Sequence, residues 1–202
     1  MRNALHLLSL LGLLWLMPIS AQAQTQSKAQ DESKVDVPKE KQTKLGKYLT
    51  PRQAADVLKA EGGKLLFVDI RTRGELQFVG APSEIDGHVP LVEMNEFGEW
   101  DDKSGRYKLE ANATFSASIE KLLAAKKLTK TDKVILICRS GDRSARAANL
   151  LADAGFTNVW NQFEGFEGDL SPDGRRTVNG WKNAGLPWSY KLDKAKVYLP
   201  GR

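Results

Sequence analysis

The residues best placed to do chemistry surround the single cysteine of this 202-residue chain. Cys138 ends the apolar run KVILIC, and a helical pattern closed by Gly155 begins about five residues later. Backbone N–H groups in such a turn, together with the positive end of the helix dipole, can converge on one anion. A thiolate is stabilised in the same way, and this favours its nucleophilic form. The alternative is that Cys138 is a small apolar residue that ends a buried strand.

The turn after the cysteine is rich in positive charge and is expected to bind anions. Gly141 allows its backbone to curl without a Cβ clash, whereas Asp142 opposes the positive charge and is expected to point outward. Arg146 adds charge from the following helix or lies on its solvated side. The predicted anion-binding loop consists of Arg139, Ser140, Gly141, Asp142, Arg143 and Ser144.

The elements that must position this loop alternate between strands and helices. Thr50-Pro51 has the form of a helix N-terminus, and a further helix is predicted over residues 115–127. The runs KLLFVDI, KVILIC and FTNVWNQ have strand character. This order predicts an α/β fold with a parallel sheet and helices on both faces, in which ligands bind beyond the carboxyl ends of the strands. NEFGEWDDKSGRYKLE interrupts the order as a predicted hairpin, and GFEGDLSPDGRRTVNG interrupts it as a polar loop.

The two ends of the chain differ from the middle. Arg2, the apolar stretch from Leu5 to Ile19 and the A-x-A pattern at 21–23 predict a signal peptide over 1–23, cut after Ala23. An uncleaved membrane anchor is the alternative, but the apolar stretch is short for a span. The expectation is therefore a periplasmic protein with no stable membrane insertion after cleavage. Residues 24–44 are polar and predicted to be a disordered linker, 45–190 the folded domain, and 191–202 a charged tail that packs loosely.

Charge and cysteine content exclude several classes of function. The chain carries a net charge of +5, which falls to +4 once Arg2 is removed. This surplus suits small anions, and no basic block with interleaved aromatic residues indicates nucleic-acid binding. One cysteine cannot form an internal disulfide, and with His88 as the only histidine of the mature chain a zinc site is not expected. Neither a metal nor an organic cofactor is predicted.

Four motifs, in order along the chain, resemble the rhodanese-like family of single-domain sulfurtransferases. They are LLFVDIRTRGEL, GHVP, ICRSGDRSARAANLLADAGFTNVWNQFEGF and GWKNAGLPW, and they cover about Leu49 to Trp188. The resemblance implies a rhodanese-like three-layer domain, with a central parallel sheet flanked by helices on both faces. It also implies transfer of a sulfane sulfur from a small anionic donor, such as thiosulfate, to a thiol or cyanide acceptor.

The resemblance assigns an expected role to each matching residue. Cys138 would carry the persulfide, and the loop after it would hold the anionic sulfur. Asp69 and Arg71 would be architectural, with Glu75 pairing with Arg71. His88 would fix a turn rather than act as a base, and Trp181 would pack near the site. The chain departs from the family pattern where LVEM follows GHVP and where sixteen positions separate Gly165 from Trp181, and both insertions are expected to border the mouth of the site.

Two other functions remain open from the sequence alone. Cysteine phosphatases and arsenate reductases use a C-x5-R loop whose arginine clamps the anion; here Arg143 gives C-x4-R, one residue too short. A rhodanese-like module that carries sulfur, senses redox state or docks a partner without turnover would show the same motifs. The protein partner, if any, is not specified by these residues.

Overall fold

The computed structural model of the protein describes residues 36–94 and 97–199. Within these ranges the helices are α1 (Pro51–Glu61), α2 (Arg73–Val79), α3 (Phe115–Ala125) and α4 (Asp142–Asp153), with short 3-10 turns at Lys39–Lys41 and Gly62–Lys64. The strands are β1 (Tyr48–Leu49), β2 (Leu65–Asp69), β3 (Ala81–Pro82), β4 (Gly87–His88), β5 (Val92–Met94), β6 (Trp100–Asp101), β7 (Arg106–Tyr107), β8 (Leu109–Ala111), β9 (Lys133–Ile137), β10 (Val159–Gln162) and β11 (Trp188–Ser189).

Five parallel strands form the central sheet in the order β1-β10-β9-β2-β4. The longest two, β2 and β9, are neighbours and pair along their whole length, from Leu65 opposite Lys133 to Asp69 opposite Ile137. All five residues of β2 are buried. A strand covered on both faces needs a nearly continuous apolar sequence, which explains why KLLFVDI and KVILIC read as unbroken hydrophobic runs.

Helices cover both faces of the sheet and divide the core into two clusters. Leu66 and Val68 point to one face with residues of α3 and α4 such as Ile119 and Leu151. Leu65 and Phe67 alternate with them and point to the other face, where α1 and α2 pack. The predicted α/β three-layer architecture is therefore confirmed.

Both helices on the second face begin with reciprocal capping. In α1 the Thr50 side chain accepts a hydrogen bond from the backbone of Gln53, whose side chain accepts one from the backbone of Thr50. Thr72 and Glu75 repeat this arrangement at the start of α2. Each such cap stabilises its helix by about 1 kcal/mol. The α2 cap also fixes the backbone of Glu75 beside the edge of the sheet where Cys138 lies.

The first insertion forms two consecutive antiparallel pairs, so the hairpin prediction is confirmed. Strands β5 and β8 pair with Met94 opposite Leu109, and β6 and β7 pair with Trp100 opposite Tyr107. The second insertion contains one bridge, between Leu170 and Arg176. It otherwise forms the polar loop expected from its composition.

The prediction of a disordered linker over 24–44 is wrong for residues 36–44. Val37 is buried, and the ammonium group of the buried Lys41 donates a 2.6 Å hydrogen bond to Asp169, which is 128 positions away in the chain. The buried Asn161 side chain also donates to the carbonyl of Lys41. These distant partners compensate for burying polar groups of this segment, and no local pattern reveals them. The signal-peptide prediction lies outside the described residues.

The C-terminal segment is bonded to the domain more firmly than predicted. The backbone of His88 donates to the carbonyl of Lys196 at 2.7 Å, and its ring accepts from the backbone of Tyr198. Leu192 and Val197 pack against the core on the α1 face. In the described residues, no helix is sufficiently long and apolar to cross a membrane.

Candidate active site

Cys138 follows the last residue of β9 and precedes α4 by one short loop. Its Sγ atom accepts a hydrogen bond from the backbone N–H of Gly141 at 3.1 Å, and the hydroxyl of Ser144 lies 3.3 Å away. The side chain is a free thiol that is only 1% exposed. Its sulfur therefore sits at the carboxyl edge of the sheet and at the N-terminal end of a twelve-residue helix, where unpaired N–H groups favour negative charge.

The hydroxyl of Ser144 can respond to the charge of the sulfur. It lies 3.0 Å from the carbonyl oxygen of Gly141 as well as 3.3 Å from Sγ, and it has a single hydrogen to donate. With a neutral thiol, Ser144 can donate to Gly141 and accept from the S–H group. With an anionic sulfur, it can donate to that sulfur instead. Ser144 therefore supplies a donor to the anion at little structural cost.

The loop is clamped from behind by residues 163–168. The backbone of Phe166 donates to the carbonyl of Cys138 at 2.7 Å, and those of Glu167 and Gly168 donate to the carbonyl of Arg139. Gly141 has φ of +101°, and a Cβ atom there would lie 1.9 Å from a backbone oxygen. A Cβ on Gly165 would lie 2.4 Å from the backbone of Arg139. Only glycine fits at either position, so the two backbones can approach closely.

The arginine of the loop is held by a carboxylate. Arg143 donates to both oxygens of Glu75, at 2.7 and 2.5 Å. Burial would raise the pKa of Glu75, but the hydrogen bonds and charge of Arg143 outweigh it and lower that pKa to about 2. Burial likewise opposes, but does not overcome, the effect of Glu75, which raises the pKa of Arg143. The guanidinium beside Cys138 is therefore permanently charged and largely neutralised.

The prediction that Glu75 pairs with Arg71 is wrong. The fully buried Arg71 points into the domain, where it donates to Asp69 at 2.6 Å and to the carbonyl of Gly80 at 2.7 Å. Its guanidinium also lies over the ring of Phe166, 4.1 Å from the centroid. With Arg71 occupied in this way, Glu75 is left to bind Arg143.

The remaining charges of the loop are also partly paired. Arg139 forms an ion pair with Glu167 at 3.0 Å. The carboxylate of Asp142 accepts a hydrogen bond from the hydroxyl of Ser140 at 3.2 Å. Asp142 is half-buried and faces the cavity rather than pointing outward as predicted. Arg146 is exposed and forms no ion pair or hydrogen bond within residues 36–94 and 97–199.

His88 and Trp181 support the site from behind the loop. The Nε2 atom of His88 lies 2.7 Å from the carbonyl oxygen of Arg71, while Nδ1 accepts from the chain at Tyr198. This pair of bonds assigns a neutral ring with its hydrogen on Nε2, and burial lowers the pKa of His88 further. Trp181 is fully buried against Phe67 and donates its backbone N–H to Gly165. Neither side chain lines the cavity that contains Cys138.

A cavity of about 780 Å³ opens in front of Cys138. Its walls come from the cysteine loop, the first turn of α2, the hairpin and Arg176 of the second insertion. The prediction that both insertions border the mouth of the site is therefore confirmed. Sequence reasoning did not find the Glu75–Arg143 pair or the contact of Gly165 with the loop; the only signal for the second was a glycine in the EGFEG run.

The comparisons with known proteins agree with this geometry. A family model described as Rhodanese-like domain matches residues 50–170. The chain belongs to the rhodanese-like family. The Rickettsia prowazekii protein RP600 is 30% identical over 123 residues, covering 61% of this chain and 81% of its own length. Its Rickettsia rickettsii homologue is 30% identical over 142 residues, covering 68% and 93%. The crystal structure of Rv0390 from M. tuberculosis aligns at 31% identity with a TM-score of 0.54, covering 71% of this chain and 97% of that one.

Proposed function

We propose that this rhodanese-like protein is a sulfurtransferase that works through a persulfide on Cys138. The donor is a small anion with a sulfane sulfur, of which thiosulfate is the simplest, and the acceptor is a thiol or cyanide. The observation that carries the proposal is the environment of Sγ: a backbone N–H at 3.1 Å, a hydroxyl at 3.3 Å and the start of a helix. These groups stabilise an anionic sulfur before and after the transfer.

The reaction has two halves that meet at the same sulfur. In the first, the Cys138 thiolate attacks the outer sulfur of thiosulfate, a new S–S bond forms, and sulfite leaves with the electrons of the broken bond. In the second, the acceptor attacks the terminal sulfur of the persulfide and the thiolate returns. Such covalent, ping-pong catalysis needs an activated nucleophile but no metal or organic cofactor.

The pairing of Arg143 opposes the phosphatase alternative. A phosphatase arginine must present its two N–H groups to the phosphoryl oxygens. In this protein those groups already hold both oxygens of Glu75. Hydrolysis of an aryl phosphate that depends on Cys138 would nevertheless favour that reading.

The test uses the purified mature protein, thiosulfate and cyanide. Incubation with thiosulfate alone is expected to add one sulfur atom to the intact mass and to release sulfite. Both signals should vanish in Cys138→Ser. Absence of both from the wild type, or their persistence in the variant, would refute the mechanism. Repeated formation of thiocyanate with cyanide distinguishes an enzyme from a carrier that is loaded once.

We also propose that the protein acts after export to the periplasm. The support is the sequence pattern of residues 1–23 alone. N-terminal sequencing of the protein recovered from a periplasmic extract should begin at Gln24. Recovery of the intact N-terminus from the membrane fraction would instead indicate an uncleaved anchor.

A further inference from the structure

One wall of the cavity in front of Cys138 is apolar although it is open to solvent. Met94 and Leu109 face each other across β5 and β8, and Tyr107 follows on the same side of the hairpin, two residues before Leu109. These side chains line the cavity and are 47, 39 and 53% exposed, respectively. Tyr107 also contacts Trp100 edge to face, with the ring centroids 5.4 Å apart. Large apolar groups that remain exposed beside a reactive residue are typical of a binding surface.

The opposite wall carries the charges, but its net charge is small. Six basic and five acidic side chains line the cavity, which leaves one positive charge: Arg106, Lys108, Arg139, Arg143, Arg146 and Arg176 against Glu75, Glu93, Asp101, Glu110 and Asp142. Two of the arginines are already held by the carboxylates of Glu75 and Glu167. A single negative charge therefore matches this wall better than two do.

The cavity is also large for an inorganic donor. Its volume of about 780 Å³ falls within the range of roughly 300–1,000 Å³ of pockets that bind organic molecules. A thiosulfate ion held at Cys138 would leave the apolar wall in contact with water. An organic donor would cover that wall while its sulfur reached the loop.

We propose that the preferred sulfur donor is an organic monoanion with a bulky apolar body, held by the hairpin wall of Met94, Tyr107 and Leu109. This inference rests on the proposed sulfur transfer and specifies its substrate class. An aryl thiosulfonate serves as the probe. The Cys138 thiolate forms a bond to its outer sulfur, the bond between the two donor sulfurs breaks, and the electron pair leaves with the aryl sulfinate. Charge and sulfur balance without any further reagent.

The experiment compares benzenethiosulfonate with thiosulfate as donors to the full mature protein, with cyanide as acceptor. In a ping-pong reaction, kcat/KM for each donor reports the loading of Cys138 alone. We expect the wild type to favour benzenethiosulfonate about tenfold, because an aryl group buried against Tyr107 and Leu109 adds roughly that factor. The ratio of the two kcat/KM values is expected to fall about tenfold in the double variant Tyr107→Thr/Leu109→Thr.

A matched control lies on the same hairpin. Phe97 is 88% exposed and does not line the cavity, so Phe97→Thr is expected to leave the ratio unchanged. Threonine keeps strand propensity in all three substitutions, and thermal unfolding checks that each variant is folded. An unchanged ratio in the double variant overturns the inference, and so does a wild type that loads from thiosulfate at least as well. If neither donor adds sulfur to the wild type, the proposed function itself is wrong.

Discussion

The charge of Glu75 offers a quantitative test of how the active-site arginine is held. The substitution Glu75→Gln keeps the shape of the side chain and its cap on α2, because Gln53 already performs the same capping role in α1. It removes the negative charge that faces Arg143. Any effect on stability therefore reports the ion pair rather than the helix end.

The expected cost follows from the lowered pKa. Glu75 falls from 4.5 to about 2 on folding, a difference worth about 3 kcal/mol at neutral pH. Its side chain is only 18% exposed and that of Arg143 14%, so solvent screens the pair weakly. Because the folded pKa lies below the unfolded one, the stabilisation is present above pH 4.5 and is lost as pH falls towards 2. About 1 kcal/mol should remain at pH 3.

Urea denaturation at pH 7, 5, 4 and 3 measures this dependence directly. The difference in the free energy of unfolding between wild type and Glu75→Gln should shrink from about 3 to about 1 kcal/mol over that range. Glu84→Gln, which removes an exposed carboxylate, provides the control and should cost almost nothing at any pH. A difference for Glu75→Gln that does not change between pH 7 and 3 would refute the reasoning. The same variant should also alkylate faster at Cys138, because Arg143 is then uncompensated.

Three further substitutions test other parts of the structure by urea denaturation. Gly141→Ala should cost more than about 3 kcal/mol and Gly155→Ala about 1 kcal/mol, because both have positive φ but only Gly141 meets a backbone oxygen; equal costs would contradict the close packing. The folded pKa of His88 lies below 6.5, so stability should fall as pH drops below that value, and His88→Gln should flatten the slope between pH 7 and 5. An unchanged slope would show that His88 does not cause it. Lys41→Ala should cost about 2 kcal/mol, whereas a value near zero would mean that residues 36–44 contribute nothing to the domain.

Sequence reasoning succeeded where the signal was local. The Thr50-Pro51 pair marks a helix start by its own backbone chemistry, and unbroken apolar runs mark buried parallel strands. The place of Cys138 follows from these two facts together, because the end of one element and the beginning of the next bracket the loop. Gly141 was identified for the same reason, since a tight turn needs a residue that tolerates positive φ.

Sequence reasoning failed where partners are chosen in three dimensions. Glu75 lies four residues from Arg71 and 68 from Arg143, and the nearer arginine was the natural choice. Arg71 instead completes the buried network with Asp69, which the pattern of charges does not reveal. Residues 36–44 have the composition of a solvated linker, yet their stabilising partners, Asp169 and Asn161, come from the other end of the chain.

These pairings change which groups are expected to stabilise the anionic sulfur. The loop contains two arginines, but each is bound to a carboxylate, so neither contributes a full positive charge at Cys138. The donors closest to the sulfur are the backbone N–H of Gly141 and the hydroxyl of Ser144, both uncharged. Fixed dipoles of this kind stabilise one negative charge without attracting a second strongly. A site built mainly from dipoles, beside an apolar wall, is therefore better suited to an organic monoanion than to a dianion such as thiosulfate.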